Sequence, residues 1–221
     1  METTYIEIDS PDKHLSDVLE EIPSNVILYK TLTGIGATYS EIKAQRHSII
    51  IEPNVPVIIG KCNSDKHKND NLLGVYEGVT TDRIIKYLGA SRGKYYKILT
   101  TPESFTKVKD AFLIFNGKIY NTCFLLIDEA HKTIKDVDYR SDIVLPMNDF
   151  FKFKGKALVS ATPLKFSDPR FEENGFSIIK IEPTYDYAKE IDIKPSTNIL
   201  REVWEEFGWM PFITGQDKDR P

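Results

Sequence analysis

Seven short apolar runs recur along the chain, at residues 26–29 (VILY), 48–51 (SIII), 72–76 (LLGVY), 97–100 (KILT), 123–127 (CFLLI), 157–160 (ALVS) and 177–181 (SIIKI). No other feature constrains the fold as strongly. Each run is mostly β-branched or aromatic and is bounded by charged or turn residues. A strand exposed on one face alternates polar with apolar, whereas a continuous run suits a strand covered on both faces, as in a parallel sheet. Between the runs lie helix-length segments: 38–46 after a glycine-rich turn, 80–88 between a Thr80 start and a Gly89 stop, and 103–115 behind Thr101-Pro102. A further helix is predicted over 11–21, before the first run. Strands and helices in alternation predict a doubly wound α/β domain: a mainly parallel sheet flanked by helices on both faces.

With 221 residues, against about 150 for a typical domain, the chain divides on sequence into a domain over 1–182 and an appendage or linker over 183–221. The second part departs from the pattern. It holds Glu182-Pro183 and Lys194-Pro195-Ser196, one amphipathic stretch near 198–207, and a polar end, GQDKDRP. The two cysteines, Cys62 and Cys123, cannot form a disulfide framework. No apolar run approaches the ~20 residues that span a bilayer, and the first residues lack the pattern of a signal peptide. A reducing cytoplasm, without membrane partners, is the expected location. A net charge of −4 excludes a uniformly basic coat but leaves room for a local basic groove.

Three motifs carry chemistry, all at predicted strand ends. Leu125-Leu126-Ile127 runs straight into Asp128-Glu129, placing two carboxylates at the carboxyl edge of the sheet, where α/β folds bind ligands. The first acid can hold Mg²⁺ and the second can orient a water; the plainer reading is an acidic helix start. Val159-Ser160-Ala161-Thr162-Pro163 offers hydroxyls to those carboxylates, or is simply a turn closed by proline. Lys30-Thr31-Leu32-Thr33-Gly34-Ile35-Gly36-Ala37-Thr38 follows the first run. Its glycines can wrap backbone N–H groups around a phosphate, with the Thr38 hydroxyl toward Mg²⁺, or form a tight strand–helix turn.

Together and in this order, these residues resemble the superfamily 2 helicases and translocases of the DEAD/DEAH type. TLTGIGAT (31–38) looks like motif I, LLIDEAH (125–131) like motif II and VSAT (159–162) like motif III. Softer matches are IEPN (51–54) to motif Ia and LTTPES (99–104) to motif Ib. The resemblance covers about residues 20–182. It implies a RecA-like P-loop NTPase domain that binds ATP with Mg²⁺ and acts on DNA or RNA. It also implies roles. Thr33, Gly34, Ile35, Gly36, Ala37, Thr38 and Lys30 line the nucleotide, and Thr38 and Asp128 hold the metal. Glu129 orients the attacking water beside Asp128, and Ser160 and Thr162 couple the nucleotide to neighbouring elements. Pro53, Asn54, Lys61, Thr101, Pro102 and Ser104 meet nucleic acid.

Two departures stand out. The family places a lysine directly before the motif I threonine, where this chain has Ala37. Removing one such preorganised donor costs about 3 kcal/mol of transition-state stabilisation; Lys30 and Lys165 are the candidate substitutes. The family's motor also has two RecA-like domains, so a second domain or a partner protein is expected to complete it. Ala37 favours a second reading, a helicase-like module with a weak or dead site that holds nucleic acid or a protein; the intact Asp128-Glu129 pair opposes it. A nucleotide-dependent enzyme acting on a small molecule leaves the motif Ia and Ib matches without a purpose. The segment 61–68 reads as a polar, basic loop, and Cys62 with His67 is half of a zinc set at most. Cys123 reads as a buried thiol, His131 as a positioning residue, and Trp204, Phe207 and Trp209 as a packing stripe.

Overall fold

In a computed structural model, all seven apolar runs are strands of one sheet. The structure describes residues 1–32, 34–135, 144–163 and 168–185. Thr33, Lys165 and the tail with Trp204, Phe207 and Trp209 lie outside them. The strands are β1 (Thr3–Ile8), β2 (Val26–Lys30), β3 (His47–Ile51), β4 (Leu72–Val75), β5 (Lys97–Thr100), β6 (Cys123–Ile127), β7 (Gly155–Ser160) and β8 (Ser177–Pro183). Their order across the sheet is β1-β8-β2-β7-β6-β3-β5-β4. Every described pairing is parallel.

Burial on both faces explains why the runs are continuous. Successive side chains of a strand point to opposite faces, and here each face has its own core. Ile27, Ile49, Ile51, Leu125, Ile127 and Leu158 pack on one side with Phe105, Phe112, Phe150 and Phe171. Leu28, Ile50, Leu126 and Val159 pack on the other with Leu15, Ile42 and Ile58. Helices α4 (Thr81–Ala90), α5 (Phe105–Phe115), α8 (Val144–Phe150) and α9 (Arg170–Glu173) serve the first layer, and α1 (Leu15–Val18), α2 (Ala37–Lys43) and α3 (Val55–Asn63) serve the second. The short α6 (Ile119–Thr122) leads into β6, and α7 (Ala130–Lys135) follows it.

Several local expectations need correction. β1 has no apolar run: TTYIEI is an edge strand whose residues are mostly exposed, paired only with β8. The helix expected over 11–21 shrinks to the four residues of α1, closed by an extended Leu19. Gly89 does not stop α4, which starts at its Thr80 cap and continues to Ala90. The 61–68 segment is not a loop throughout, because Lys61, Cys62 and Asn63 form the last turn of α3 and Asp65–His67 a 3-10 turn. Its His67 is buried, with Nδ1 2.8 Å from Asp70.

Among the described residues no helix is long and apolar enough to cross a membrane.

Candidate nucleotide site

A cleft of about 420 Å³ opens at the carboxyl ends of β2, β3 and β6, in the size range of small-ligand sites. It is lined by Lys30, Gly34, Gly36, Ala37, Thr38, Glu52, Asn54, Lys61, Asp128 and Glu129, among others. Motif I and motif II thus meet in one place. The sheet order explains how: the chain leaves β2, crosses β7 and β6 through α2, and returns at β3.

The glycine loop needs its glycines. Gly34 and Gly36 have φ of +80° and +92°, left-handed values that strain any residue with a Cβ. Among the described residues, the N–H groups of Gly34, Ile35, Gly36, Ala37 and Thr38 donate no hydrogen bond. Ile35 instead gives its carbonyl to the Leu15 N–H at 2.9 Å, so α1 pins the loop from behind. Ala37 is buried and contributes a methyl group where a lysine is expected.

Asp128 is the hub. It is 4% exposed, and its Oδ2 accepts a short hydrogen bond from the Thr38 hydroxyl. Its Oδ1 accepts from the Glu129 N–H at 2.8 Å and lies 3.2 Å from Lys30 Nζ. Glu129 turns sharply, with φ of +49°; non-glycine residues rarely adopt this region, and such strain collects at functional sites. The turn brings Glu129 Oε1 to 2.7 Å from the same Lys30 Nζ. Lys30 is therefore clamped between both acids. Burial alone pushes its ammonium down, but the Asp128 and Glu129 charges outweigh burial and hold its pKa above the ordinary value.

A hydroxyl and a carboxylate converging on one spot are the hard oxygen donors that suit Mg²⁺, so Thr38 and Asp128 fit the metal that the motifs imply. Ser160 ties motif III to motif II. Its Oγ is 3.3 Å from His131 Nδ1 and donates to the Thr162 carbonyl at 2.7 Å, and the Thr162 N–H returns a bond at 3.1 Å. His131 Nε2 in turn lies 3.6 Å from Glu129 Oε2, so β7 reaches the acid pair through one imidazole.

Four residues not singled out for this site on sequence also line it: Tyr39, Glu52, Val57 and Lys132. Glu52, 3% exposed, takes hydrogen bonds from the Asn54 N–H and Nδ2, both at 3.2 Å. Burial, then the Asp128 charge, pushes its pKa up. Tyr39 lines the cleft from α2. Asn54, the N-cap of α3, and Val57 and Lys61 within it all face the cleft, a spacing of three and four that follows one helix face. No sequence signal marks that face, since the apolar and polar residues of α3 are mixed.

The motif Ia and Ib residues separate. Pro53 and Asn54 are half-buried beside the cleft, while Thr101, Pro102 and Ser104 are buried. The N–H groups of Thr101, Ser104 and Phe105 are already bonded, to Val75, Thr101 and Pro102 carbonyls. Of this turn, Glu103 is exposed. The turn also delays α5, which begins at Phe105 rather than at Glu103.

No family model and no curated protein matches the chain. Among solved structures, it is similar to a hypothetical ATP-dependent RNA helicase from Sulfolobus tokodaii, at 16% identity and a TM-score of 0.49, covering 71% of this chain and 48% of that one. The Pyrococcus furiosus Hef helicase domain matches at 14% identity and a TM-score of 0.49, over 78% of this chain and 38% of that one. A DEAD box protein from Methanococcus jannaschii matches at 19% identity and a TM-score of 0.46, over 71% and 45%. The chain spans about half, or less, of the length of these structures.

Proposed function

We propose that this chain binds Mg-ATP in the cleft and hydrolyses it slowly, as the nucleotide-binding part of a helicase-like motor that acts on nucleic acid. One observation carries the proposal: Thr38, Asp128 and Glu129, named from motifs I and II, converge on one another behind a loop of two left-handed glycines. A bland helix start would have left the acids in solvent. A structural ion pair would not have needed a loop whose N–H groups donate no hydrogen bond among the described residues.

In this reading the N–H groups of Gly34, Ile35 and Gly36 receive the phosphates. Thr38 and Asp128 would hold a Mg²⁺, which when bound would supply positive charge to the phosphate oxygens. Glu129 orients the attacking water, with Lys30 holding its carboxylate beside that of Asp128. The Ser160–His131 link carries the state of the site to β7. Nucleic acid approaches along Pro53 and Asn54, with Thr101, Pro102 and Ser104 shaping the turn beneath rather than donating N–H groups. A second RecA-like domain or a partner protein supplies the arginines that the family brings across the cleft.

Steady-state hydrolysis tests the proposal. Mg-dependent turnover is expected to be slow in the wild type and slower in Glu129→Gln by about tenfold or more. Ala37→Lys is expected to be faster than wild type, toward the hundred- to thousand-fold that one preorganised donor provides. No Mg-dependent nucleotide binding by calorimetry, even at millimolar ligand, ends this reading.

A further inference from the structure

The cleft holds three lysines, and they differ in what already occupies them. Lys30 is 7% exposed and spends its ammonium on Asp128 and Glu129. Moving it to a phosphate would strip the cation from two buried or half-buried carboxylates. Lys132, on α7, is exposed at the rim, where a mobile ammonium contributes little. Lys61 is half-buried on the last turn of α3 and has no hydrogen bond or ion pair among the described residues. It faces the same cleft as Ala37 and Thr38.

We infer that Lys61 is the cation that meets the nucleotide's phosphates in place of the side chain missing at Ala37. The assignment rests on reading the cleft as a nucleotide site. A half-buried ammonium without a hydrogen bond or ion pair among the described residues has lost hydration without a direct partner in return. Its electrostatic surroundings agree: burial lowers its pKa, the Asp128 and Glu52 carboxylates offset this only in part, and Lys30 adds to it. A polyphosphate supplies the missing partner. The sequence route differs from the familiar one, because the lysine comes from the helix after β3 instead of from the glycine loop. Close packing holds that helix in place. A Cβ on Gly74 of β4 would stand 2.9 Å from Ile58 Cγ2 and 3.2 Å from Cys62 Sγ, so α3 lies directly on the sheet, with Lys61 on the face toward the cleft.

The test is equilibrium binding of Mg-ATP, Mg-ADP and AMP to wild type, Lys61→Met, Lys61→Arg and the double variant Lys61→Met/Ala37→Lys, each checked for folding by thermal unfolding. Lys61→Met keeps the aliphatic stem, and Lys61→Arg keeps the charge. The expected result is a loss of about tenfold or more for Mg-ATP in Lys61→Met, as for other hydrogen bonds to charged groups, with AMP changed less than about twofold. Lys61→Arg is expected to retain most of the affinity, and Ala37→Lys to restore it in the double variant. Equal binding of Mg-ATP by wild type and Lys61→Met overturns the assignment and leaves the nucleotide reading standing. An equal loss for AMP and ATP also overturns it, since that marks a structural role. A wild type that binds none of the three ends both.

Discussion

Lys30 shows how a single residue sets the resting state of this site. Its ammonium sits between Asp128 Oδ1 at 3.2 Å and Glu129 Oε1 at 2.7 Å, so it neutralises two neighbouring carboxylates that would otherwise repel. Removing one partner from a buried ion pair costs about 3–5 kcal/mol, because the remaining charge is stranded. Glu129 is partly exposed, which places Lys30→Met at the low end, near 3 kcal/mol. The pH window follows from the direction of the shift. A lysine whose folded pKa is raised contributes fully at neutral pH and loses its contribution only as pH climbs through that raised value. Denaturant unfolding at pH 7 is the measurement. Adding Glu129→Gln to Lys30→Met should recover part of the loss, because it removes one of the two stranded negative charges. If the double variant is no more stable than the single, Lys30 is not neutralising this pair.

The elements around the site are fastened by a second buried lysine, in a different way. Lys97 begins β5 and reaches past β3 to the end of α2, donating to the Glu41 carbonyl at 2.7 Å, the Ala44 carbonyl at 2.8 Å and Ser48 Oγ at 2.9 Å. The helix that carries Thr38 is thereby tied by its carboxyl end, where a cation is favoured. Burial, the largest influence, lowers the Lys97 pKa to about 8. The sign is opposite to that of Lys30. A lysine depressed in the fold binds fewer protons than in the unfolded chain between about pH 8 and its ordinary 10.5, so its contribution makes the fold more stable as pH rises across that interval. Cys123, pushed up to about 12 from 9.0, acts the other way over part of the same range. The comparison must therefore be between wild type and Lys97→Met, whose difference is expected to slope upward from pH 8 to 10.5. A flat difference would show that Lys97 is charged alike in both states. None of this fastening was legible in the sequence, where Lys97 opens an apolar run as an ordinary boundary residue. The strands themselves were legible, because burial on both faces leaves an unbroken apolar string. β1 was not, because an edge strand half in solvent alternates and imitates a loop.

At the scale of the whole molecule, the site was legible where the chain's own order places residues at strand ends, and illegible where a helix face brings them back. Gly34, Thr38 and Asp128 follow a strand and Ser160 ends one, so a parallel sheet brings them to one edge. Lys61 lies about two turns into α3, where only its rotation around the helix and the packing at Gly74 decide that it faces the cleft. This architecture predicts how ligand and fold are coupled. The cleft draws on residues from 30–39, 52–61 and 128–132, segments separated by most of the domain, so a nucleotide held there bridges β2, β3 and β6. A ligand that binds only the folded state adds about 2.7 kcal/mol at a hundred times its dissociation constant. For a domain of this size that raises the melting temperature by about 5–10 °C. That shift should depend on Mg²⁺ only in part, because in the proposed site the loop N–H groups and Lys61 would bind phosphate without it. EDTA should therefore reduce the shift without abolishing it, and Asp128→Asn should remove the metal-dependent share alone. Hydrogen exchange separates bridging from local ordering. With nucleotide bound, amides of β2, β3 and β6 should gain protection together, since each opening that exposes them releases the ligand. Protection confined to the 34–38 loop, with the strands unchanged, would mean that the ligand sits on the glycine turn and does not span the cleft.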